Sequence, residues 1–372
     1  MWEMRGRATE RAYIIYSRCN AMTTVAQGLT ALLLTSVSPL TTELLVPAML
    51  FMGRDASEES VALYFAVIAI LHMLHGVFMK KVGPAYMASY GCVVYAASSI
   101  CIGRWQLAGE SFQVGRAVQA VGASACTVAG FGRIKERMKP RRHIPLLNSL
   151  RSLLLVLAPM ASQAAVDRYG WRSVFSLMAI MPLSALSLLL YESLTREGTG
   201  PREGGRGGGD RERYNLSRFL AWTAADSLGF AAMIVWVAYA PFLVEEGNVN
   251  GYLYGLTFLG SFFGPFLTFL LSKKRRKALF VASSFLSTAS MFAEEKYTGM
   301  LLMNTFRSCS SSISQAEALL SSPVGGSPVQ CLRMAAASAA ILISISAPAD
   351  IVMIAFSATS SVCGSLILLL LK

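Results

Sequence analysis

Apolar runs of about twenty residues recur along the chain, and that repetition narrows its possible folds to one kind. A run of this length crosses the ~30 Å hydrocarbon core of a bilayer as a helix. In lipid a helix satisfies its own backbone hydrogen bonds, which an open strand cannot do. Of the 372 residues, 54% are hydrophobic and only 15% are charged, with mean hydropathy +0.51. A soluble domain carries about 25% charged residues. The chain is therefore predicted to be an all-α, multi-pass integral membrane protein.

Twelve candidate spans can be placed. The first lies within Gly28–Met52, followed by Val61–Met79, Pro84–Ile102, Ser111–Gly132, a fifth within Ile144–Val166, and Ser173–Tyr191. The second set is Phe219–Val244, Gly251–Ser272, Ala278–Ala293, Tyr297–Leu320, Leu332–Ala347 and Ile351–Leu371. The ninth and eleventh have 16 residues each, so they require bilayer thinning, tilt relief or wider boundaries.

Positive charge sets the expected orientation. With the N-terminus inside, inner segments carry 24 Lys and Arg and outer loops carry 5. That asymmetry is a strong positive-inside signal. It accounts for the net charge of +12 without nucleic acid, and the inner clusters would meet anionic lipid heads. Residues 1–20 are read as a cytoplasmic N-terminal segment with no cleavable signal peptide. Residues 21–193 form the first six-helix bundle and 216–372 the second. Between them, 194–215 is rich in Gly, Arg and Glu, as a flexible basic cytoplasmic linker would be. Asn215-Leu-Ser is a glycosylation sequon by letter but falls on the inner side. The seven scattered cysteines have no disulfide or metal spacing and read as small buried hydrophobes.

Several motifs carry a family resemblance. The stretch "RAVQAVGAS" resembles the fourth-span signature of the major facilitator superfamily, with Arg116, Gln119, Gly122 and Ala123 in place and Ala120 where glycine is usual. "LAPMASQAAVDRYGWRSVF" resembles the fifth-span proline motif and the start of span six, through Pro159, Gly170, Trp171, Arg172 and Phe175. "SPLTTELLVPAM" and "AYAPFLVEEGNVNGYLYGLTF" resemble spans one and seven of bicyclomycin-resistance-type drug/proton antiporters. The likeness implies two pseudo-symmetric six-helix bundles around a central cavity. One motif departs. The family loop between spans two and three carries an acid that helps latch the inner gate; here it reads Gly76-x-x-x-Lys80-Lys81-x-Gly83-Pro84-Ala85.

Ionisable residues within a membrane usually face a cavity or one another. The acids here are Glu43, Asp226, Glu317 and Asp350; the cations are Arg116, Arg151, Arg307 and Arg333. Glu43 lies eleven residues before Arg54 in an outgoing span, and Arg116 lies six after Glu110 in an incoming one. Both should sit in the outer half of the bilayer, and Glu43 matches an acid that related antiporters carry in span one. A pairing follows as an expectation: burial favours a neutral carboxyl, a nearby arginine favours the charged one, and a change in that balance carries a proton. The alternative is a static tie between helices. Arg307 holds the place of Arg116 in the second half, so Glu43, Arg116, Gln119 and Arg307 are the candidates for proton coupling or substrate contact. Asp226 lies eight residues after Arg218, near an inner helix end where hydration would explain it. With Trp236 and Tyr239 it is a secondary cavity candidate. Gly76, Gly83, Gly122 and Pro159 are candidates for gating and helix bending. His72 and His75 share a helix face and read as a buried hydrogen-bonded pair; further metal ligands are not evident.

The leading functional reading is a secondary transporter of a small solute working by alternating access, with proton-coupled efflux of drug-like or metabolite compounds. The alternatives are a uniporter or uptake carrier of the same fold, or a non-transporting binding or sensing protein. No catalytic His/Cys/acid cluster and no nucleotide-binding loop stand in the sequence, so an enzyme and ATP-driven transport are disfavoured. The expected partners are the substrate, protons and the lipid bilayer, with no cofactor, no metal and no nucleic acid, in a monomer with both termini cytoplasmic in the plasma membrane. In a background lacking native cysteines, a cysteine at Gly208 should be labelled only from the cytoplasmic side and one at Asn248 only from outside. Labelling of both from one side would exclude an even number of intervening spans.

Overall fold

The apolar runs become helices, and the helices end where charge, glycine or proline returns. The computed structural model describes residues 2–105, 107–137, 140–196, 216–243, 251–270, 273–290, 296–321 and 327–346, with isolated positions 355 and 359. The linker at 197–215 and nearly all of the twelfth span lie outside the described residues. The helices of the first half are α1 (Trp2–Met52), α2 (Arg54–Val82), α3 (Pro84–Arg104), α4 (Gly109–Arg137), α5 (Pro140–Tyr169) and α6 (Ser173–Arg196). In the second half they are α7 (Leu216–Leu243), α8 (Gly251–Leu256), α9 (Leu259–Leu270), α10 (Lys273–Ala289), α11 (Lys296–Ser321) and α12 (Ser327–Ser346).

Three boundaries differ from the sequence-based expectation. The N-terminal segment is not separate from span one: α1 has 51 residues, or ~76 Å at ~1.5 Å per residue, more than twice the hydrocarbon thickness. It therefore continues well beyond the apolar stretch Val25–Met49. The ninth span stays short, at 17 residues in α10, but its boundary moves towards the N-terminus. The basic run 273–277 is helical and forms the first turns of α10. The eighth span is not one helix, because α8 and α9 are separated at Thr257 and Phe258.

Packing repeats with a period of six spans when α8 and α9 count as one. In the first half α1 packs on α4 and α5, α2 on α4, and α3 on α4. In the second, α7 packs on α11 and α12, α9 on α11, and α10 on α11. The halves meet reciprocally, α2 on α12 and α5 on α8–α9. The second span of each half thus meets the fifth of the other, a pseudo-two-fold arrangement. One apolar core runs through this junction, joining Phe65 and Ile68 to Phe230, Ile234 and Ile341.

Six described helical stretches are long and apolar enough to cross a membrane. The repeat mates α4 and α11 are not among them, because both carry polar residues turned inward. Arg116, Gln119, Ser124 and Thr127 on α4 are buried, as are Asn304, Arg307, Ser310 and Ser314 on α11.

Two interruptions in the eighth span, the break at Thr257–Phe258 and Pro265 inside α9, are each met by side chains of neighbouring helices. Pro265 has no N–H to give the Ser261 carbonyl four residues back. The Ser152 hydroxyl of α5 donates to that carbonyl at 2.9 Å, and Ser149 donates to the Phe262 carbonyl at 3.1 Å. At the break itself, the Asn304 amide of α11 donates to the Thr257 carbonyl at 3.4 Å and its hydroxyl at 3.3 Å. A serine of α5 thus supplies what proline removed, and an asparagine of α11 serves the break.

Between α2 and α3 Gly83 turns the chain at φ 84, with Pro84 opening α3. Burial, and then the neighbouring Lys80, lower the Lys135 ammonium below its ordinary value. Lysine thus crowds lysine where the family motif has an acid. Arg133 is not a loop charge: it is buried and ion-paired with Glu192, which also accepts a 2.7 Å bond from Thr30. That cluster ties α1, α4 and α6 within one half.

Gly122 lets α4 touch α3. A Cβ there would strike the Tyr95 backbone nitrogen and Cα. Overpacking a tight contact costs ~1–3 kcal/mol, so Gly122→Ala should lower the unfolding temperature of the purified protein in detergent. An unchanged midpoint would show that the helices can part at no cost.

Candidate functional site

A cavity opens between the halves, bounded by α1, α2, α4 and α5 on one side and α7, α9, α11 and α12 on the other. It holds about 90 Å³ of space open to water-sized spheres, well below the ~300 Å³ or more typical of ligand pockets. A drug-sized molecule does not fit this volume. Its wall is part apolar, through Phe65, Phe131, Phe230 and Phe258, and part small and polar, through Ser38, Ser152, Ser311 and Ser312. Four ionisable side chains line it: Glu43, Arg151, Arg307 and Arg333.

Glu43 is 3% exposed. The Tyr254 hydroxyl on α8 donates to its Oε2 at 3.1 Å, a bond that crosses from one half to the other. The sequence reading missed Tyr254, which lies inside the quoted stretch "NGYLYGLTF" without any mark of a buried partner. Pro47 stands inside α1 one turn on, and the carbonyl that its missing N–H leaves free belongs to Glu43 itself.

Arg116 does not meet Glu43. It is 1% exposed within the first half. Its Nε donates to Ser60 at 3.1 Å, its Nη1 donates to Gln119, and its guanidinium lies 4.6 Å from the Tyr64 ring centroid. Gln119 passes the chain on to Ser99 at 2.7 Å. Neither Arg116 nor Gln119 is among the cavity-lining residues. The expectation of similar depth did not fix which way α4 turned its arginine: towards α2 and α3, not α1. Of the four primary candidates, the structure brings Glu43 and Arg307 into one cavity and leaves Arg116 and Gln119 in the packed interior beside it.

Asp226 is not a hydrated helix end. It is 1% exposed and lies 3.0 Å from Arg333 and 3.8 Å from Arg307, with Ser314 donating to it at 2.9 Å. Arg307 also donates to the Asp226 backbone carbonyl at 2.6 Å. Gly229 makes room for this crossing, since a Cβ there would overlap the Arg307 guanidinium. Arg333 rests 4.2 Å from the Phe230 ring centroid. The side chains of Trp236 and Tyr239 lie outside the described residues. Gly76 is buried in α2. Pro159 faces α8, 3.5 Å from where a Gly255 Cβ would stand. His72 and His75 are buried side by side, and Ser124 meets both, at 3.2 Å and 3.0 Å.

A model of the Major Facilitator Superfamily matches residues 31–366. The chain belongs to this family. That makes it a multi-pass protein of a transport fold and not an enzyme. It is similar to the Multidrug resistance protein MdtL of Shewanella sp. (strain ANA-3), 24% identical over 62% of this chain and 60% of that one. It is also similar to the protein of the same name from Klebsiella pneumoniae (strain 342), 28% identical over 52% of this chain and 51% of the other. The chain spans about half to three-fifths of the length of these relatives. Among solved structures, the proton:xylose symporter XylE bound to 6-bromo-6-deoxy-D-glucose matches with TM-score 0.64 and 14% identity, covering 94% of this chain and 95% of that one. This likeness establishes the fold, two six-helix bundles around a central cavity. The drug-resistance names of these relatives accord with the antiporter-like motifs at Ser38–Met49 and Ala238–Phe258.

Removing one partner of a buried ion pair costs ~3–5 kcal/mol, because the other charge stays buried. Asp226→Asn strands two arginines and should destabilise the protein by about that much. Adding Arg333→Met should recover part of the loss, since coupled sites do not add. A double variant no more stable than Asp226→Asn, by thermal unfolding, would show that Asp226 does not act through Arg333.

Proposed function

We propose that the protein is a secondary active transporter that moves a small solute by alternating access, coupled to proton movement in the efflux direction. One observation carries the reading: the buried carboxyl of Glu43 lines the central cavity and is held by Tyr254 from the opposite half. A carboxyl shared between halves can link its protonation to whether they are together or apart. When they separate, the tyrosine bond is lost and the carboxyl meets a different environment, so its proton affinity changes with the conformation. Neutral Glu43 needs no counter-ion and can pass through the closed state. Charged Glu43 favours whichever state gives it water or a donor.

Drug-resistance relatives support efflux of drug-like or metabolite compounds. The positive-inside bias supports cytoplasmic termini and a plasma-membrane location, and the cavity lies within a single chain, in keeping with a monomer. The absent acid at Lys80 favours the second reading, a uniporter or uptake carrier whose inner gate is latched by other contacts.

Proteoliposomes with an imposed proton gradient test the coupling. Glu43→Gln should abolish accumulation against a gradient while leaving exchange down a gradient, because a permanently neutral side chain imitates the protonated state. Tyr254→Phe should shift the pH profile and keep coupling. Arg116→Ala should lower thermal stability and leave the profile in place, since Arg116 does not touch Glu43. A Glu43→Gln variant that still concentrates substrate with a normal pH profile would remove Glu43 as the proton site.

A further inference from the structure

Among the described residues, more arginines than acids stand at the cavity. Arg151, Arg307 and Arg333 all line it, on α5, α11 and α12. Asp226 stands behind them and is shared by two of the three, at 3.0 Å from Arg333 and 3.8 Å from Arg307. One carboxylate cannot neutralise two guanidiniums. Arg151 comes from the other half and feels the charges of Arg333 and Asp226. Its Nε is buried without a hydrogen-bond partner, and among the described residues it forms no ion pair. The lining acid, Glu43, is bonded to Tyr254. With both acids ionised, the three cavity arginines still exceed them by one charge; with Glu43 protonated, by two. Unpaired charge at membrane depth is costly. It persists where a mobile counter-charge is part of the working cycle.

We infer that this cavity binds an amphipathic organic anion, with a carboxylate held by Arg151 of one half and Arg333 of the other and an apolar body against the phenylalanines. Three features select this class. Guanidinium forks match carboxylate geometry with two parallel hydrogen bonds. The surplus of one to two charges suits a monoanion better than a cation or a polyanion. Phe65, Phe230 and Phe258 offer apolar surface in the same cavity, and Asn148 and Ser152 on α5 supply polar groups next to Arg151. An anion seated between Arg151 and Arg333 would draw the halves together. Binding and closure would then be one event, and proton uptake by Glu43 would enlarge the positive excess that attracts the anion. The inference rests on the transport reading for its physiological meaning but not for its test.

The test uses the full chain in nanodiscs at neutral pH, with calorimetric titration of 4-phenylbutyrate, its methyl ester and tetraphenylphosphonium. The carboxylate should bind at least about tenfold more tightly than the ester, the worth of one charge-assisted hydrogen bond, and the phosphonium should not compete with it. Arg151→Gln should weaken the carboxylate by about tenfold and leave the ester unchanged, while Arg151→Lys keeps the preference for carboxylate over ester but loses part of the affinity with the second hydrogen bond. Ester or phosphonium binding as tight as the carboxylate, no binding of any of the three, or a folded Arg151→Gln with wild-type affinity would overturn the inference. If Arg151→Gln does not fold, the wild-type ranking of the three probes decides. Counterflow in proteoliposomes separates the two claims. Carboxylate binding without counterflow of any probe would sink the transport reading and leave the anion site. Counterflow of ester or phosphonium alone would do the reverse.

Discussion

A polar group carried into the bilayer has to find its partner inside the protein. Here that constraint decides how the helices are arranged. Pro265 frees the Ser261 carbonyl, and Ser152 of α5 answers it. The break at Thr257 is answered by Asn304 of α11. Asn148 reaches from α5 to Ser312 of α11 at 3.0 Å, and Ser338 of α12 donates to the Ala62 carbonyl of α2 at 3.2 Å. Beside the apolar core at their junction, the two halves are joined by the small polar contacts of Ser152, Asn148 and Ser338. A hydroxyl bond in a membrane protein contributes about 0.6 kcal/mol on average. A seam made of many weak bonds can open and re-form without a large barrier, whereas a seam of buried ion pairs could not.

Among the described residues the ion pairs, by contrast, lie within a half. Arg133 and Glu192 tie α4 to α6. Asp226 ties α7 to α11 and α12. Arg116 organises α2 and α4 through Ser60 and Gln119. This division suits rigid bodies that rock against each other. Glu43 and Tyr254 are the exception, a buried carboxyl bonded across the seam. Weak enough to part and placed where the halves divide, that bond is suited to reporting their separation to a titratable group.

The pseudo-symmetry is structural more than chemical. Arg116 and Arg307 occupy matching spans, but their surroundings differ. Arg307 has Asp226 and lines the cavity; Arg116 has hydroxyl, amide and aromatic partners and does not. The same residue type at the same repeat position has become a packing element in one half and part of the cavity wall in the other. The second half's cations therefore dominate the cavity, joined only by Arg151 from the first.

Hydrophobic run length alone determined the membrane fold, because a helix in lipid needs nothing beyond its own residues to satisfy its backbone. The motif around Arg116 and Gln119 was enough to indicate the family. The sequence also nominated every ionisable residue now found in the cavity, since charge is conspicuous against an apolar background. What it could not give was azimuth. One residue's shift along a helix turns a side chain by ~100°, so depth estimated from flanking charges leaves the facing direction open. That is why Glu43 was paired with Arg116 from sequence and meets Tyr254 in the structure. It is also why Asp226, near an inner end by residue count, proved to be a buried counter-ion. Partners more than two hundred residues apart, such as Glu43 and Tyr254, leave no local pattern. Only the packing of one half on the other decided them.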